Sequence, residues 1–427
     1  TVEPVAAVLS QMTGKPVKVE YNRKESILST RVRHASVNYV KTGFMKDGTL
    51  KAVDFKVYTN TGAYASSALN VSGAMSHKVF KAYKIDHMRF QCQPVYTNTE
   101  IAGAMRGYGS PQVYFGWQRQ MQKIADFLHM DMAALQMNMV DPDSCDPIFH
   151  KPHGNSRPKD CLKRALELID YEACLKEQEA TRNQDIRIGV GLALGVHGNN
   201  CVGAHRDVST PMLKMNEDGS CIYYTGSHDM GTDTLGMQMQ IVSEVLGISM
   251  DRIECIQADT DATMYDLGNY SSRGTYVSCN AAVKAAGKIR QELLKEAAQL
   301  LEEEQQNLEL KDNGVCVRNN PEKKASLEEV ITHARKVNQR DICCADTFAS
   351  YALAMSYGAH FVKVSVDTRT GGGKVLEYTA VHDVGKALNP MSVEGQIEGA
   401  VQMGLGYALS EGIIIDSGGK VKNTTFK

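Results

Sequence analysis

The chain has 427 residues, of which 43% are hydrophobic and 22% charged, with a formal net charge of -2 at pH 7, which is enough for two or more domains around a substantial core. That near-neutral balance gives no electrostatic case for nucleic acid or an anionic membrane surface, no apolar run approaches a membrane span, and no signal peptide is visible. The eleven cysteines stand singly except for Cys343-Cys344, so neither zinc nor an iron-sulfur cluster has its usual ligand spacing, and an odd, scattered set fits a reducing cytoplasm.

Along the chain the pattern is mixed α and β. An apolar segment at 5–12 reads as a helix already under way. Alternating runs at 36–44 and 50–60 flank Lys46-Asp47-Gly48-Thr49 and predict a β-hairpin with a two-residue Asp-Gly turn. The loop 104–112 leads into an amphipathic segment, 112–139, with Pro111 placed for a first helical position. A helix at 161–179 and a polar stretch at 181–188 follow. A fresh strand-like run, 189–198, then reaches His197, Asn199 and Asn200. The polar stretch is the best internal boundary and divides the chain into 1–182 and 183–427.

Asn216-Glu217-Asp218-Gly219-Ser220 predicts a second hairpin between 211–215 and 221–225, followed by an amphipathic helix at 235–246. A long helical pattern covers 281–306, and its run Glu302-Glu303-Glu304 reads as a solvated face. Glycine-rich 368–373 separates strands at 360–366 and 374–382. There is no internal repeat and no low-complexity tract.

Three loops carry the chemistry. Ala104-Met105-Arg106-Gly107-Tyr108-Gly109-Ser110-Pro111-Gln112 puts a guanidinium and two glycines before a helix N-terminus, an arrangement that suits an anion. It equally suits a tight turn whose Arg106 meets a structural carboxylate. His228-Asp229-Met230-Gly231-Thr232-Asp233-Thr234 and Asn269-Tyr270-Ser271-Ser272-Arg273-Gly274-Thr275 also supply glycine, hydroxyls and backbone N–H groups at helix starts, and each reads as an ordinary N-cap or as a ligand site. Together, in a chain with neither a Walker-type lysine loop nor a strand-linked Gly-x-Gly-x-x-Gly, they point to a large anionic cofactor held by dispersed loops.

In these residues the chain resembles the molybdopterin-binding subunit of the xanthine dehydrogenase and aldehyde oxidase family, the molybdenum hydroxylases. The likeness continues through Val381-His382-Asp383-Val384-Gly385, Leu388-Asn389-Pro390, Glu394-Gly395-Gln396-Ile397-Glu398-Gly399 and Gln402-Met403-Gly404-Leu405-Gly406. The order and spacing of these motifs follow the family over essentially the whole chain. Within it, Asn60-Thr61-Gly62-Ala63-Tyr64-Ala65-Ser66 and the Ala-Met-Arg-Gly-Tyr-Gly wording most resemble the bacterial xanthine dehydrogenase branch.

The resemblance implies an α+β fold of two mixed domains of the large-subunit type with the cofactor between them. Residues 1–182 would form the first, lacking its N-terminal part, and 183–427 the second, lacking its C-terminal part. It also implies that the glutamate serving as catalytic base lies beyond Lys427. Arg106 and Gly107 would hold the molybdenum-pterin end, with Arg106 and Tyr108 as the catalytic residues and Tyr108 packing against a flat substrate. Gly231, Thr232, Ser271, Ser272, Arg273, Gly274 and Gln402 would bind the pterin and its phosphates. His197 and Asn200 match the edge of the substrate pocket. The metal would be carried by the pterin dithiolene, with no protein ligand.

The resemblance implies hydroxylation of a purine or related N-heterocycle with oxygen from water, on a pterin cofactor in its cytosine dinucleotide form. Because this chain has no carrier for the electrons, 2Fe-2S and FAD partner subunits are expected, in a cytoplasmic hetero-oligomer with two-fold symmetry. Nicotinate, an aldehyde or an aromatic CoA thioester stay open as substrates, since Asp266 to Arg273 also resembles the hydroxybenzoyl-CoA reductase subunit. A cofactor-free scaffold protein is the non-enzymatic alternative. The chain departs from the family twice. It has Ser72-Gly73-Ala74-Met75 where animal relatives place a substrate-facing arginine, and Gly231-Thr232-Asp233 where Gly-Gln-Gly is common.

Overall fold

The computed structural model describes residues 2–140, 154, 157–201 and 205–425. Helix α1 (Glu3–Thr13) buries none of its residues, and α2 (Arg23–Ser29) starts with a capping box between Asn22 and Glu25. Strands β1 (Ser36–Phe44) and β2 (Leu50–Gly62) pair antiparallel, and β2 pairs in parallel with β3 (His87–Tyr96) after the crossover helix α3 (Ala68–Lys78). The β1–β2 turn differs from the expected two-residue form. Met45 N–H bonds Thr49 O, Gly48 N–H bonds Met45 O, and Gly48 has φ +86°, so the tip has three residues, with glycine in the left-handed position. The hairpin at 216–220 repeats the arrangement, with Gly219 at φ +78°.

The amphipathic segment at 112–139 is two helices. In α4 (Ser110–Leu128) the side chains of Val113, Trp117, Met121 and Ile124 recur at helical spacing and are buried. His129, at φ +55°, ends it, and Asp131 caps α5 (Met132–Met139). The expected helix at 161–179 breaks in the same way: Asp170, at φ +48°, separates α6 (Pro158–Leu168) from α7 (Tyr171–Ala180) and caps the latter.

After β4 (Ile186–Gly198) come β5 (Val208–Ser209), β6 (Met212–Met215), β7 (Cys221–Thr225), α8 (Thr234–Leu246), β8 (Ile253–Gln257) and α9 (Cys279–Leu300). Helix α9 stops short of the expected 306, and Glu302 there has φ +52°. Strands β9 (Leu308–Lys311), β10 (Gly314–Val317) and β11 (Asn320–Ser326) lead to α10 (Leu327–Lys336), then β12 (Cys343–Ala345), β13 (Phe348–Ala349), β14 (Met355–Asp367), β15 (Gly373–Asp383) and α11 (Pro390–Leu409). The sheet orders are β1-β2-β3, β11-β10-β9, β12-β6-β7-β8, β13-β5 and β15-β14-β4.

Two cores result. The first gathers Phe55, Phe80, Trp117 and Leu162 with Leu194 and Val196 of β4 and Tyr357, Ala359 and Phe361 of β14, so packing is continuous across 182/183. The second, including Tyr223, Leu246, Ile289, Leu293, Leu310 and Ile331, draws wholly on residues between β4 and β14. Since β4 and β14 are hydrogen-bonded neighbours, the second core is an insertion between two adjacent strands of one sheet. No helix among the described residues is long and apolar enough to cross a membrane.

Candidate functional site

The loop before α4 is built from a run of left-handed backbone. Gly107, Tyr108 and Gly109 have φ of +92°, +43° and +95°, a sequence in which the glycines are unstrained and Tyr108 is not. A Cβ on Gly109 would stand 2.7 Å from Met75 Cγ and 3.2 Å from Val71 O, so the loop lies directly on α3. Arg33 holds it from behind, donating to Arg106 O at 2.6 Å and to Tyr407 Oη at 2.6 Å. Among the described residues the exposed Arg106 guanidinium meets no carboxylate. Its Nη2 donates to both O and Oε1 of Gln396 on α11, at 2.8 and 2.9 Å.

Gln396 in turn donates its Nε2 to Gly231 O at 2.9 Å, tying the first loop to the second. There the expected free N–H groups are not free: those of Gly231 and Thr232 bond Asp229 Oδ1 at 2.6 and 3.1 Å, because an aspartate at a turn start mimics the backbone acceptor. What Thr232 offers is its hydroxyl, 2.8 Å from that of Thr234. Asp233 does not add a loose negative charge. Its Oδ2 accepts from Asn389 Nδ2 at 3.0 Å and Ser392 Oγ at 2.7 Å, at the start of α11, where the helix dipole favours an anion.

The third loop presents Ser271 and Ser272, both exposed and both left-handed at φ +58° and +54°. Ser271 Oγ donates to Asn200 O at 3.1 Å. Arg273 corrects a sequence expectation. It is fully buried, and its guanidinium donates to Asp207 Oδ1 (2.6 Å), Asp266 Oδ1 (2.8 Å), Gly268 O (2.7 Å) and Val208 O (2.5 Å). Burial alone would lower its pKa, but Asp266 and Asp207 outweigh that and hold it raised. Arg273 therefore fixes the loop from inside and has no donor turned to a phosphate. Gly274 is likewise a close-approach residue, since a Cβ there would stand 2.6 Å from Thr234 Cγ2; that contact brings the second and third loops together.

The circuit closes through β4. Tyr114 Oη contacts Lys78 O, Val196 O and Val196 N at 2.9, 3.0 and 2.9 Å, pinning the end of α3 beside the end of β4. Lys78 Nζ consequently reaches Gly107 O at 3.0 Å and His197 Nε2 at 3.4 Å, and lies 5.7 Å from the centroid of the Tyr108 ring. Burial raises the Tyr108 pKa. From Arg106 a path of contacts joined by short backbone stretches (231–232, 271–274 and 197–200) thus runs through Gln396, Gly231, Thr232, Thr234, Gly274 and the Ser271–Asn200 bond to His197, Lys78 and back to Gly107. Gln402 is exposed on α11. Three residues that hold this circuit, Gln396, Lys78 and Asp233, are not assigned by sequence reasoning. Gln396 lies inside a motif already recognised there, and Lys78 closes α3 after Ser76 and His77, where a lysine carries no mark of its own in the sequence.

An anionic cofactor fits this donor set. Arg106, Thr232, Ser271 and Ser272 present neutral or cationic donors, and the aspartates nearby are engaged in internal bonds. Beside them Ser110 Oγ, Gln112 Oε1 and Asn200 Oδ1 are buried without hydrogen-bond partners among the described residues, at a cost that a bound polar group would relieve. Among the described residues no cluster of three or more His, Cys, Asp or Glu side chains stands ready to hold a metal ion.

The chain belongs to the molybdopterin cofactor-binding domain family, whose two models match residues 1–139 and 164–427. It is 32% identical to the xanthine dehydrogenase molybdenum-binding subunit of Escherichia coli O157:H7, over 99% of this chain and 57% of that protein. It is 27% identical to the aldehyde oxidoreductase of Megalodesulfovibrio gigas, over 96% of this chain and 44% of the relative. Its fold is that of CO dehydrogenase from Oligotropha carboxidovorans, with a TM-score of 0.88 at 23% identity, covering 99% of this chain and 56% of that one. The chain therefore spans about half the length of these relatives.

Proposed function

We propose that this chain is the cofactor-binding part of a molybdenum hydroxylase subunit that oxidises a purine or related N-heterocycle and passes two electrons to iron-sulfur and FAD partner subunits. The observation that carries the reading is the closed circuit of contacts joining the Arg106, Thr232 and Ser271 loops, which are remote in sequence. When bound, molybdenum-molybdopterin, in its cytosine dinucleotide form, supplies the oxygen-transfer and electron chemistry. The remaining Arg106 donors, the hydroxyls of Thr232, Ser271 and Ser272 and the Gln402 amide hold its anionic groups. Arg273, Gln396, Gly231 and Gly274 keep those groups in place. Tyr108 stacks on the flat substrate, with His197 and Asn200 at the pocket edge.

The test is metal analysis of the native complex, followed by turnover of xanthine, hypoxanthine, nicotinate and aldehydes. Molybdenum with heterocycle turnover supports the reading. A complex without molybdenum leaves a scaffold protein instead. Arg106→Ala is expected to lower molybdenum content several-fold, and Tyr108→Ala to raise KM about tenfold with less effect on molybdenum; neither change appearing would remove both assignments. A second reading, oxidation of an aldehyde, is favoured by the likeness to an aldehyde oxidoreductase. Turnover confined to aldehydes would establish it over the first.

A further inference from the structure

Lys78 is 9% exposed, and among the described residues no carboxylate forms an ion pair with it. A buried ammonium without a counter-charge is costly unless something else meets it. Two of its three N–H groups are accounted for. One goes to Gly107 O at 3.0 Å, and one is directed to His197 Nε2 at 3.4 Å, while His197 Nδ1 faces its own Gly198 O at 2.6 Å. The third has no partner among the described residues. The other groups that face it add no negative charge: Lys81 follows on the same stretch of chain and Tyr108 comes from the loop before α4. A point charge with one donor to spare therefore stands 5.7 Å from the centroid of the ring on which the substrate is proposed to stack.

We propose that Lys78 is a specificity-determining residue that selects flat substrates bearing a negative charge, such as a ring carboxylate or an ionised ring nitrogen or oxygen. The proposal rests on placing Tyr108 and His197 in the substrate pocket. The geometry favours an anion over a neutral ring because only the anion supplies the missing counter-charge, and a charge-assisted hydrogen bond is the stronger kind. Burial and Lys81 push the Lys78 pKa down to about 8, so the ammonium is weakly held until an anion arrives. Selection by charge is accordingly strongest below that pH and fades above it.

The experiment compares nicotinate with nicotinamide, and benzoate with benzamide, as ligands of the native molybdenum-loaded complex. Affinity is measured by calorimetric titration alongside turnover for whichever pair reacts. The wild type is expected to bind the anion at least tenfold more tightly than its amide. Lys78→Met should lower anion affinity roughly 10- to 100-fold and leave the amide unchanged. Lys78→Arg, which keeps the charge, should retain much of the preference and extend it above pH 8. Molybdenum content equal in all three proteins shows that loop and cofactor are intact. Equal losses on anion and amide, no loss in Lys78→Met, or wild-type indifference to charge would each overturn the proposal. A wild-type complex lacking molybdenum would instead remove the cofactor assignment on which it rests.

Discussion

Arg106 and Arg273 illustrate how one side chain takes two roles under similar wording. Each follows or precedes glycine at a helix start, yet Arg106 is exposed with donors to spare, and Arg273 is enclosed by Asp207 and Asp266. Removing the buried guanidinium leaves two carboxylates with no counter-charge. Among the described residues Asp207 would keep the Cys201 N–H at 2.7 Å, and Asp266 the Ser209 hydroxyl and Gly268 N–H. Arg273→Met is therefore expected to destabilise the chain by about 3–5 kcal/mol, read as a lower denaturation midpoint. Wild-type stability in that variant would mean the pair contributes nothing. The arginine's type and neighbours were legible in the sequence, but its direction was not, because its partners lie 66 and 7 residues away.

At the scale of elements, caps and breaks decide where helices lie. Asp233 joins the start of α8 to the start of α11, so Asp233→Gly should relieve a left-handed φ of +56° while releasing Asn389 and Ser392. We expect a net loss of about 1 kcal/mol and faster hydrogen exchange in the first turn of α11; unchanged exchange there would show that the aspartate is no latch. Periodicity alone located β1, β2, β14, β15 and α8. It missed the breaks at His129 and Asp170, since neither residue is a glycine or proline and left-handed backbone at a polar residue leaves no periodic mark. It also missed the pairing of His360 with His382 across β14 and β15, where the two Nε2 atoms are 2.9 Å apart and His360 Nδ1 is 2.9 Å from Tyr378 Oη. Two imidazolium rings cannot share that contact. Burial, then His382, pushes the His360 pKa down to about 4, against about 6.5 in an unfolded chain. Between those values the unfolded state binds a proton that the folded state does not, so stability falls as pH drops from about 6.5 to about 4. His360→Phe should flatten that slope in denaturant titrations at pH 7 and 5; an unaltered slope would assign the acid sensitivity elsewhere.

For the molecule as a whole, the contact circuit depends on β4 and β14 being neighbours although the second core is threaded between them. Short-range reasoning places a boundary where α7 ends. It has no access to a pairing between 186–198 and 355–367, whose only sequence trace is two apolar runs far apart. The insertion makes a mechanical prediction. Its two connections to the rest leave and return side by side, so strain in the second core reaches the Arg106 loop through α11, by the Gln396–Gly231 bond and the bonds of Asn389 and Ser392 to Asp233. Leu293, fully buried in the second core, tests this. Leu293→Ala should cost about 2–5 kcal/mol and accelerate hydrogen exchange in β6, β7 and α9. Protection in the β2–β3 ladder, whose Phe55 and Phe90 pack in the first core, should remain near the wild-type level. If both regions loosen by the same factor, the two cores unfold as one unit. In that case the Arg106 loop would inherit the stability of the entire chain instead of the first core alone.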